Sequence, residues 1–222
     1  MTRSKNPLTL EYKMKGEILT TVKSSKYLGV LITNDLSWEP HINQVINDSN
    51  KILGFLRRNF SRCDSRIKAT TYQSLVRPKL EYAATVWDPH QSQLINKLEM
   101  VQRRAARFAT SDYRRTSSVT SMLHTLHWPT LQQRRKKKRL MLLKRAINEE
   151  IAIDIPSYVK KPSRQQRNTN LHKYTPIFCR TQCYKYSFLP RTLNDWNSLP
   201  TETALSQKAA FEQALDKFIK SL

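Results

Sequence analysis

The sequence predicts a mainly α-helical protein with a small β-hairpin or strand near its amino terminus. The 222 residues contain only three glycines, so few turns that need a positive φ angle are available. Apolar residues recur at helical spacing over several segments, and ten prolines separate these segments. The predicted order is a hairpin, a three-helix bundle, further basic helices and a short tail of mixed β and helical character.

The amino-terminal part of the chain, residues 1–35, is predicted to contain a hairpin and a buried strand. Apolar and polar side chains alternate over residues 8–14, and Lys15-Gly16 then supplies a turn. A compact apolar run follows at residues 26–32 and predicts the buried strand.

Residues 36–112 are predicted to form three helices with short links, a pattern that favours a bundle. The first helix begins at Trp38-Glu-Pro-His, and the second begins near Ser65. Pro78 must kink or restart the second helix, because proline lacks an amide donor. Asp88-Pro89 is a start signal for the third. The apolar stripe of this third helix consists of Leu94, Leu98, Val101, Ala105 and Phe108.

Three arginines, Arg103, Arg104 and Arg107, lie on the opposite side of this third helix from its apolar stripe. Such arginines are usually only the solvated face of an amphipathic helix. They can also face a polyanion, and the helix alone does not decide between the two interpretations.

The charge of the chain favours the polyanion. Thirty-nine Lys and Arg against 17 Asp and Glu give a net charge of +22, which implies nucleic acid first and an acidic membrane surface second as the partner. Residues 113–153 are predicted to be a basic helical region. This region contains six consecutive cations, which we expect to be exposed because they surround a whole helix: Arg134, Arg135, Lys136, Lys137, Lys138 and Arg139. They fit a phosphate backbone or a nuclear import receptor, and the sequence does not separate the two.

The tail, residues 154–222, shows weaker patterns. Residues 155–176 are typical of a linker or surface loop. Residues 184–188 alternate like a strand that Pro190-Arg191 ends, and residues 207–222 predict a closing amphipathic helix.

Residues able to catalyse a reaction are sparse. There is no glycine-rich phosphate loop and no adjacent pair of aspartates. His172 with Cys179 and Cys183 lacks a fourth zinc ligand, and the three cysteines of the chain suit a reducing compartment. We expect no cofactor and no catalysis by this chain alone. No apolar run is long enough to span a bilayer, so we expect no membrane partner and an intracellular location.

A series of motifs in fixed order resembles a known family. The first five are Lys26-Tyr-Leu-Gly-Val, Leu36-Ser-Trp-Glu-Pro-His-Ile, Leu53-Gly-Phe-Leu-Arg-Arg, Leu75-Val-Arg-Pro-Lys-Leu-Glu-Tyr and Val86-Trp-Asp-Pro. The others are Leu98-Glu-Met-Val-Gln-Arg-Arg-Ala-Ala-Arg-Phe, Ser118-Val-Thr-Ser-Met-Leu, Leu126-His-Trp-Pro-Thr-Leu, Ser187-Phe-Leu-Pro-Arg-Thr and Trp196-Asn-Ser-Leu-Pro. Together they cover nearly the whole chain, which resembles the carboxy-terminal part of a non-LTR (LINE-type) retrotransposon reverse transcriptase. Leu189 is a minor departure, at a position where a second aromatic is expected.

The resemblance implies a specific anatomy. In that family a palm holds the catalytic aspartates, and a primer-grip hairpin and a helical thumb follow it. The region around Tyr27-Leu28-Gly29 resembles the primer grip, residues 38–110 resemble the thumb, and the remainder resembles the tail. The aspartate turn is expected upstream of Met1, and without it no metal-assisted nucleotide transfer takes place.

The resemblance also implies a role in binding. A thumb holds the template–primer duplex of RNA and DNA by its backbone. The residues expected to contact that backbone are Arg57, Arg58, Arg103, Arg104 and Arg107, with the run at 134–139. Tyr27 and Gly29 are expected to let a strand approach the primer end, although plain core packing is an equal alternative for Tyr27 and Leu28.

Three hypotheses follow from the sequence. The first is a non-catalytic remnant of a reverse transcriptase that retains RNA, DNA or RNA/DNA hybrid binding and lies in the nucleus. The second is a protein-interaction module whose basic run binds a nuclear import receptor. The third is an incomplete gene model of a full polymerase.

Overall fold

The computed structural model of the chain describes residues 11–153, 155, 159–162 and 172–220. It is mainly helical with two short hairpins near the amino terminus, so the predicted fold class is confirmed. Contacts divide the chain into two units, which differ from the four predicted segments. The first unit comprises Met1–Ala83 and Gln91–Met122, and the second comprises Ala84–His90 and Leu123–Leu222.

Both hairpins are antiparallel and belong to the first unit. Strands β1 (Lys13–Met14) and β2 (Glu17–Ile18) form one, and β3 (Ser24–Tyr27) and β4 (Val30–Thr33) form the other. Lys15 and Gly16 have φ angles of 52° and 88°, which confirms the predicted turn. Leu8 and Leu10, the first apolar positions of that prediction, lie outside the described residues.

The single buried strand predicted over residues 26–32 is wrong. Leu28 and Gly29 have φ angles of 45° and 82°, the signs that a two-residue type I′ turn requires, so the run folds back on itself. All four residues of β3 are exposed, and buried side chains occur only in β4. An apolar run alone did not reveal a turn in which leucine rather than asparagine precedes the glycine.

The helices are, in chain order, α1 (Glu39–Asn59), α2 (Ser65–Thr71), a π-helical turn (Tyr72–Val76), α3 (Arg77–Glu81), α4 (Ala84–Trp87), α5 (Ser92–Thr110), α6 (Val119–Thr125), α7 (Leu131–Ile147), α8 (Gln182–Lys185), α9 (Phe188–Asn197), α10 (Thr201–Leu205) and α11 (Lys208–Lys220). In the first unit α1 and α2 both pack on α5, and α3 packs on α1, which gives the predicted three-helix arrangement. Pro78 lies at the start of α3, directly after the π-helical turn, where its missing amide is tolerated.

The core of the first unit contains the predicted apolar stripe. Leu94, Leu98, Val101, Ala105 and Phe108 are all buried on α5. A polar contact also lies within this core, because the Tyr72 hydroxyl donates to Gln102 Oε1 at 3.1 Å. Periodicity therefore predicted which face of α5 is internal.

The predicted helix start at Asp88-Pro89 is wrong. Helix α5 begins at Ser92 after Gln91, whose side chain makes no capping hydrogen bond. The Asp88 side chain is instead buried within the second unit, where arginine side chains surround it. A buried carboxylate needs such partners, but the sequence close to Asp88 does not indicate which residues they are.

The second unit is built around α7, α9 and α11. Leu140, Leu143, Trp196, Phe211 and Leu215 belong to its buried apolar cluster. Thr130 and Gln133 form a capping box at the start of α7, each side chain accepting from the other residue's backbone amide. The predicted closing helix is confirmed as α11.

The strand predicted over residues 184–188 is wrong. Thr181 accepts a hydrogen bond from the Tyr184 amide and begins the short helix α8, and Phe188 begins α9. Pro190 lies in the first turn of α9, where proline does not interrupt a helix. The linker predicted over residues 155–176 lies largely outside the described residues.

Candidate nucleic-acid interface

Helices α1 and α5 of the first unit run parallel, with their carboxyl ends together. Lys97 Nζ lies 3.3 Å from Glu39 Oε1 near the amino ends of the two helices. Farther along, Arg104 Nη1 donates to Asn50 Oδ1 at 3.2 Å. At the carboxyl ends the Arg57 guanidinium lies 5.3 Å from the ring centroid of Tyr113. Residues farther along α1 thus contact residues farther along α5, which is the pattern of two parallel helices.

This pairing places five of the predicted arginines at one end of the helix pair. We call them the arginine surface: Arg57, Arg58, Arg103, Arg104 and Arg107. All except Arg107 are exposed, and a depression beside Arg57 and Arg58 is also lined by Gly54 and Tyr113. Because Arg104 and Arg107 are one helical turn apart on α5, both lie along the side that faces Asn50 and Arg57 of α1.

Arg107 differs from the other four arginines because it donates hydrogen bonds to backbone carbonyls. Its Nη1 donates to the backbone carbonyl of Arg114 at 2.9 Å and to that of Asp112 at 3.4 Å. These bonds hold the chain that follows α5. Arg103 shows no such contact within the described residues, so the two arginines are not equivalent.

Asp112, an acidic residue that follows the arginine surface in the chain, is already paired. Hydrogen bonds from the Arg114 side chain hold the pKa of the Asp112 carboxyl well below its usual range. The 20 Lys and Arg of the first unit exceed its 9 Asp and Glu, counted over the sequence of both its segments. The dipole at the carboxyl end of a helix favours one or two cations, so it does not account for five arginines at this end of the helix pair.

Tyr27 and Gly29 lie at the turn between β3 and β4. Tyr27 is 66% exposed, so the core-packing alternative for its side chain is wrong. Gly29 faces the ring of Tyr82, whose hydroxyl donates to the Leu28 carbonyl at 3.0 Å. A Cβ at position 29 would lie 3.2 Å from Tyr82 Cε1. The glycine is therefore required by the turn and by Tyr82, and its proposed approach to a nucleic-acid strand stays a prediction.

Beside that turn the first unit has a cleft lined by Lys26, Gly29, His41, Lys79 and Tyr82, among others. The Leu31 amide donates to His41 Nδ1 at 3.2 Å. Burial, and then the positive charge of Lys26, lower the pKa of His41, so its neutral form is favoured. Sequence reasoning missed His41 and Tyr82 because neither stands in a pattern that indicates its contact with the hairpin.

The expectation that the run from Arg134 to Arg139 is exposed is wrong for Arg135 and Arg139. Both are buried in the second unit, with 1% and 2% exposure. Arg135 Nε donates to Asp88 Oδ1 at 2.7 Å, and Arg139 Nη2 donates to Asp195 Oδ2 at 2.9 Å. Arg139 Nε also lies 2.9 Å from Asp88 Oδ2, close enough for an ion pair although its N–H group forms no hydrogen bond.

Arg191 completes this buried group, with Nη1 3.2 Å from Asp88 Oδ2. We call the five residues Asp88, Arg135, Arg139, Arg191 and Asp195 the Asp88 cluster. Burial lowers the pKa of Arg191, while Asp88 acts in the opposite direction and keeps the guanidinium charged. One signal in the sequence could have revealed the two buried arginines of α7. They occupy the same i, i+4 series as the buried Leu131 and Leu143.

The other cations of the run are partly exposed. Lys136 Nζ lies 3.3 Å from Asp195 Oδ1, and Lys137 Nζ lies 2.7 Å from Asp216 Oδ1 and 2.9 Å from Glu212 Oε1. The carboxylates near Lys137 raise its pKa even though burial opposes this. Much of the positive charge of α7 is thus compensated inside the second unit.

Within the described part of the chain, no three His, Cys, Asp or Glu side chains are grouped so as to hold a metal ion. No helix there is both long and apolar enough to cross a membrane. Comparisons with protein-family models, curated proteins and solved structures give no match. The fold and the candidate site thus define a mainly helical, strongly basic protein with an arginine surface at the end of a parallel helix pair.

Proposed function

We propose that the chain binds an RNA/DNA duplex by its sugar–phosphate backbone, in a non-catalytic, thumb-like role within a protein of the reverse-transcriptase type. One observation carries this proposal. The parallel pairing of α1 and α5 gathers Arg57, Arg58, Arg103 and Arg104 as exposed side chains at one end of the first unit.

The chemistry of these side chains suits phosphate. A guanidinium is planar, always charged, and donates two parallel hydrogen bonds to phosphate oxygens. Contacts of this kind position a protein on a duplex without reading its bases. A helical surface that recognises backbone shape is what the resemblance to a thumb implies for this region.

The proposal differs from the sequence-based expectation in one respect. Arg135 and Arg139 are assigned to the buried Asp88 cluster rather than to a phosphate track. Arg134, Lys136, Lys137 and Lys138 are partly exposed, and their contact with nucleic acid or with an import receptor stays a prediction. The arginine surface of the first unit therefore becomes the primary candidate.

The test is binding of the full chain to a fluorescent RNA/DNA hybrid, measured by anisotropy across a range of salt concentrations. We expect the substitution of Arg57, Arg103 and Arg104 by Ala to reduce the slope of log affinity against log salt by about 2 to 3, since each lost phosphate contact contributes about 0.9. Arg107 is left unchanged because it holds the backbone beyond α5.

A matched control removes the same charge elsewhere in the first unit. Lys13, Lys15 and Lys23 are exposed in the hairpin region, and their replacement by Ala also lowers the net charge by three. We expect this variant to keep the wild-type slope. Equal slopes for the two variants would mean that only diffuse electrostatics act, and the proposed interface would then be rejected.

A further inference from the structure

A second basic surface, in the second unit, is rich in aromatic residues. From residue 155 to residue 190 the sequence contains no Asp or Glu but seven Lys and Arg: Lys160, Lys161, Arg164, Arg167, Lys173, Arg180 and Lys185. Within this stretch the described residues 178–186 include Phe178, Tyr184 and Tyr186. Aromatic rings interleaved with cations are the composition of surfaces that bind single-stranded nucleic acid.

Phe178 is 82% exposed, more than any other large apolar side chain in the described residues. Phenylalanine is usually buried, so this position is unusual. The exposure does not come from a loose segment. Asn197 accepts from the Tyr174 amide at 2.9 Å and donates to the Tyr174 carbonyl at 2.8 Å. Ile177 packs against the apolar cluster of the second unit. The chain is thus anchored just before Phe178, and the ring is held in solvent.

Two further aromatic rings lie on and just beyond α8. The Tyr184 and Tyr186 side chains are 39% and 36% exposed. Tyr186 stacks on His90 of the same unit, with ring centroids 4.0 Å apart and planes inclined by 2°. A ring held by one parallel stack is ordered. Lys185 Nζ lies 5.7 Å from the centroid of the same ring, so an aromatic side chain and a cation lie side by side here.

The two cations of residues 178–186 have no acidic partner among the described residues. Arg180 and Lys185 are exposed, and neither pairs with a carboxylate in the part of the chain that the structure describes. This distinguishes them from Lys136 and Lys137 of α7, which do pair with carboxylates. Their charge is therefore available to an anionic ligand that also presents planar rings.

We propose that residues 178–186 bind single-stranded RNA or DNA, with unpaired bases stacking on Phe178, Tyr184 and Tyr186 and with Arg180 and Lys185 contacting the backbone. This site goes beyond the proposed function. It belongs to the other unit, it recognises the faces of bases rather than a duplex backbone, and it does not depend on the arginine surface.

The test is anisotropy of the full chain with a labelled oligouridylate of about 15 nucleotides, in which bases stack on aromatic side chains whatever the sequence. Phe178→Ala is expected to weaken binding by about 5- to 150-fold, the range for loss of one stacked base. Because Phe178 is exposed, the variant keeps its fold. Tyr12→Ala is the matched control: Tyr12 is a 65% exposed aromatic residue of the first unit, and its loss should leave affinity unchanged.

A strand of the same length that lacks bases isolates stacking from charge. Phe178→Ala should bind this abasic strand and the RNA/DNA hybrid as well as the wild type does. If it leaves oligouridylate binding unchanged, or weakens abasic and base-bearing strands equally, the proposal is overturned. The same holds if Phe178 is needed only for binding to phosphatidylserine vesicles. The variant lacking Arg57, Arg103 and Arg104 tests hybrid binding separately, so either proposal can fail while the other stands.

Discussion

Asp88 Oδ1 and Arg135 Nε lie 2.7 Å apart, and both side chains are almost fully buried in the second unit. An ion pair in such surroundings depends on both partners, because the loss of one leaves an uncompensated charge away from water. Arg139 and Arg191 share the same carboxylate. Removal of the Asp88 carboxylate would therefore leave three arginine side chains without the partner they share.

Asp88→Asn is expected to lower the free energy of unfolding of the second unit by about 3–5 kcal/mol, the cost of breaking a buried ion pair. Urea denaturation followed by tryptophan fluorescence reports mainly on the second unit, since three of the four tryptophans, Trp87, Trp128 and Trp196, belong to it. Asp112→Asn is the control. Its carboxylate pairs with the exposed Arg114 at the surface, so a much smaller loss of stability than in Asp88→Asn is expected. Comparable losses in the two variants would contradict the importance of the Asp88 cluster.

Gly29→Ala is expected to destabilise the first unit by about 1–2 kcal/mol, the cost of a left-handed backbone conformation at a residue with a Cβ. The contact with Tyr82 adds to this cost. Gly54→Ala is the matched substitution on α1, where a new Cβ would meet only the flexible Arg58 side chain at 3.6 Å. That variant should gain up to about 1 kcal/mol from helix propensity. Denaturation midpoints that shift in the same direction for both would refute the assignment of the turn.

Stability should fall as the pH drops below 6.5, the ordinary pKa of histidine. Burial lowers the pKa of His41, so between 6.5 and the lowered value the unfolded chain binds a proton that the folded chain does not. Protonation of Nδ1 would also remove its acceptor function toward the Leu31 amide. The stability that neutral His41 contributes is thus fully present above pH 6.5. It is lost as the pH falls from 6.5 to the lowered pKa of His41.

The measurement is the urea midpoint at several values between pH 7.5 and pH 5, for the wild type and His41→Asn. The variant should show a smaller loss of stability on acidification. Part of the slope should persist, because burial also lowers the pKa of His172. If the urea midpoint falls with pH as steeply in the variant as in the wild type, His41 does not account for the pH dependence of stability.

Arg107→Ala and Arg103→Ala should separate structure from binding on the arginine surface. Arg107 donates to two backbone carbonyls, so its loss should cost about 1–3 kcal/mol of stability. The exposed Arg103 should cost less than about 0.5 kcal/mol. Thermal unfolding of both variants tests this difference. A stability loss in Arg103→Ala equal to that in Arg107→Ala would remove the reason for treating the two differently.

The helices of the first unit were predictable from sequence because burial of one face leaves a periodic trace. The apolar stripe from Leu94 to Phe108 and the break before Ser65 are local patterns, and the structure agrees with both. The turn at Lys15-Gly16 was predictable for a different local reason, because glycine readily adopts the positive φ angle found there.

The failures have a different cause. Asp88 pairs with arginines that follow it by 47 to 103 positions, and no local pattern links such distant residues. A run of six cations was judged by its charge alone, whereas two of its members stand in the buried i, i+4 series of α7. At residues 184–188 the alternation of apolar and polar side chains is short. Thr181, just before it, caps the helix α8 that forms there instead. In the arginine surface, the residues were predictable but their meeting at one end of a parallel helix pair was not.

The short stretch Ala84–His90 belongs to the second unit although the chain returns to the first unit immediately after it. During synthesis on the ribosome, Trp87 and Asp88 therefore emerge well before α7, on which α4 packs, and before α9. These two helices supply the arginines that pair with Asp88. The first unit can form its core before the residues that contact Trp87 and Asp88 have been synthesised. A single proteolytic cut cannot separate the units cleanly, because a fragment that begins at Leu123 would leave Asp88 behind. The guanidinium groups of Arg135, Arg139 and Arg191 would then lack their shared carboxylate.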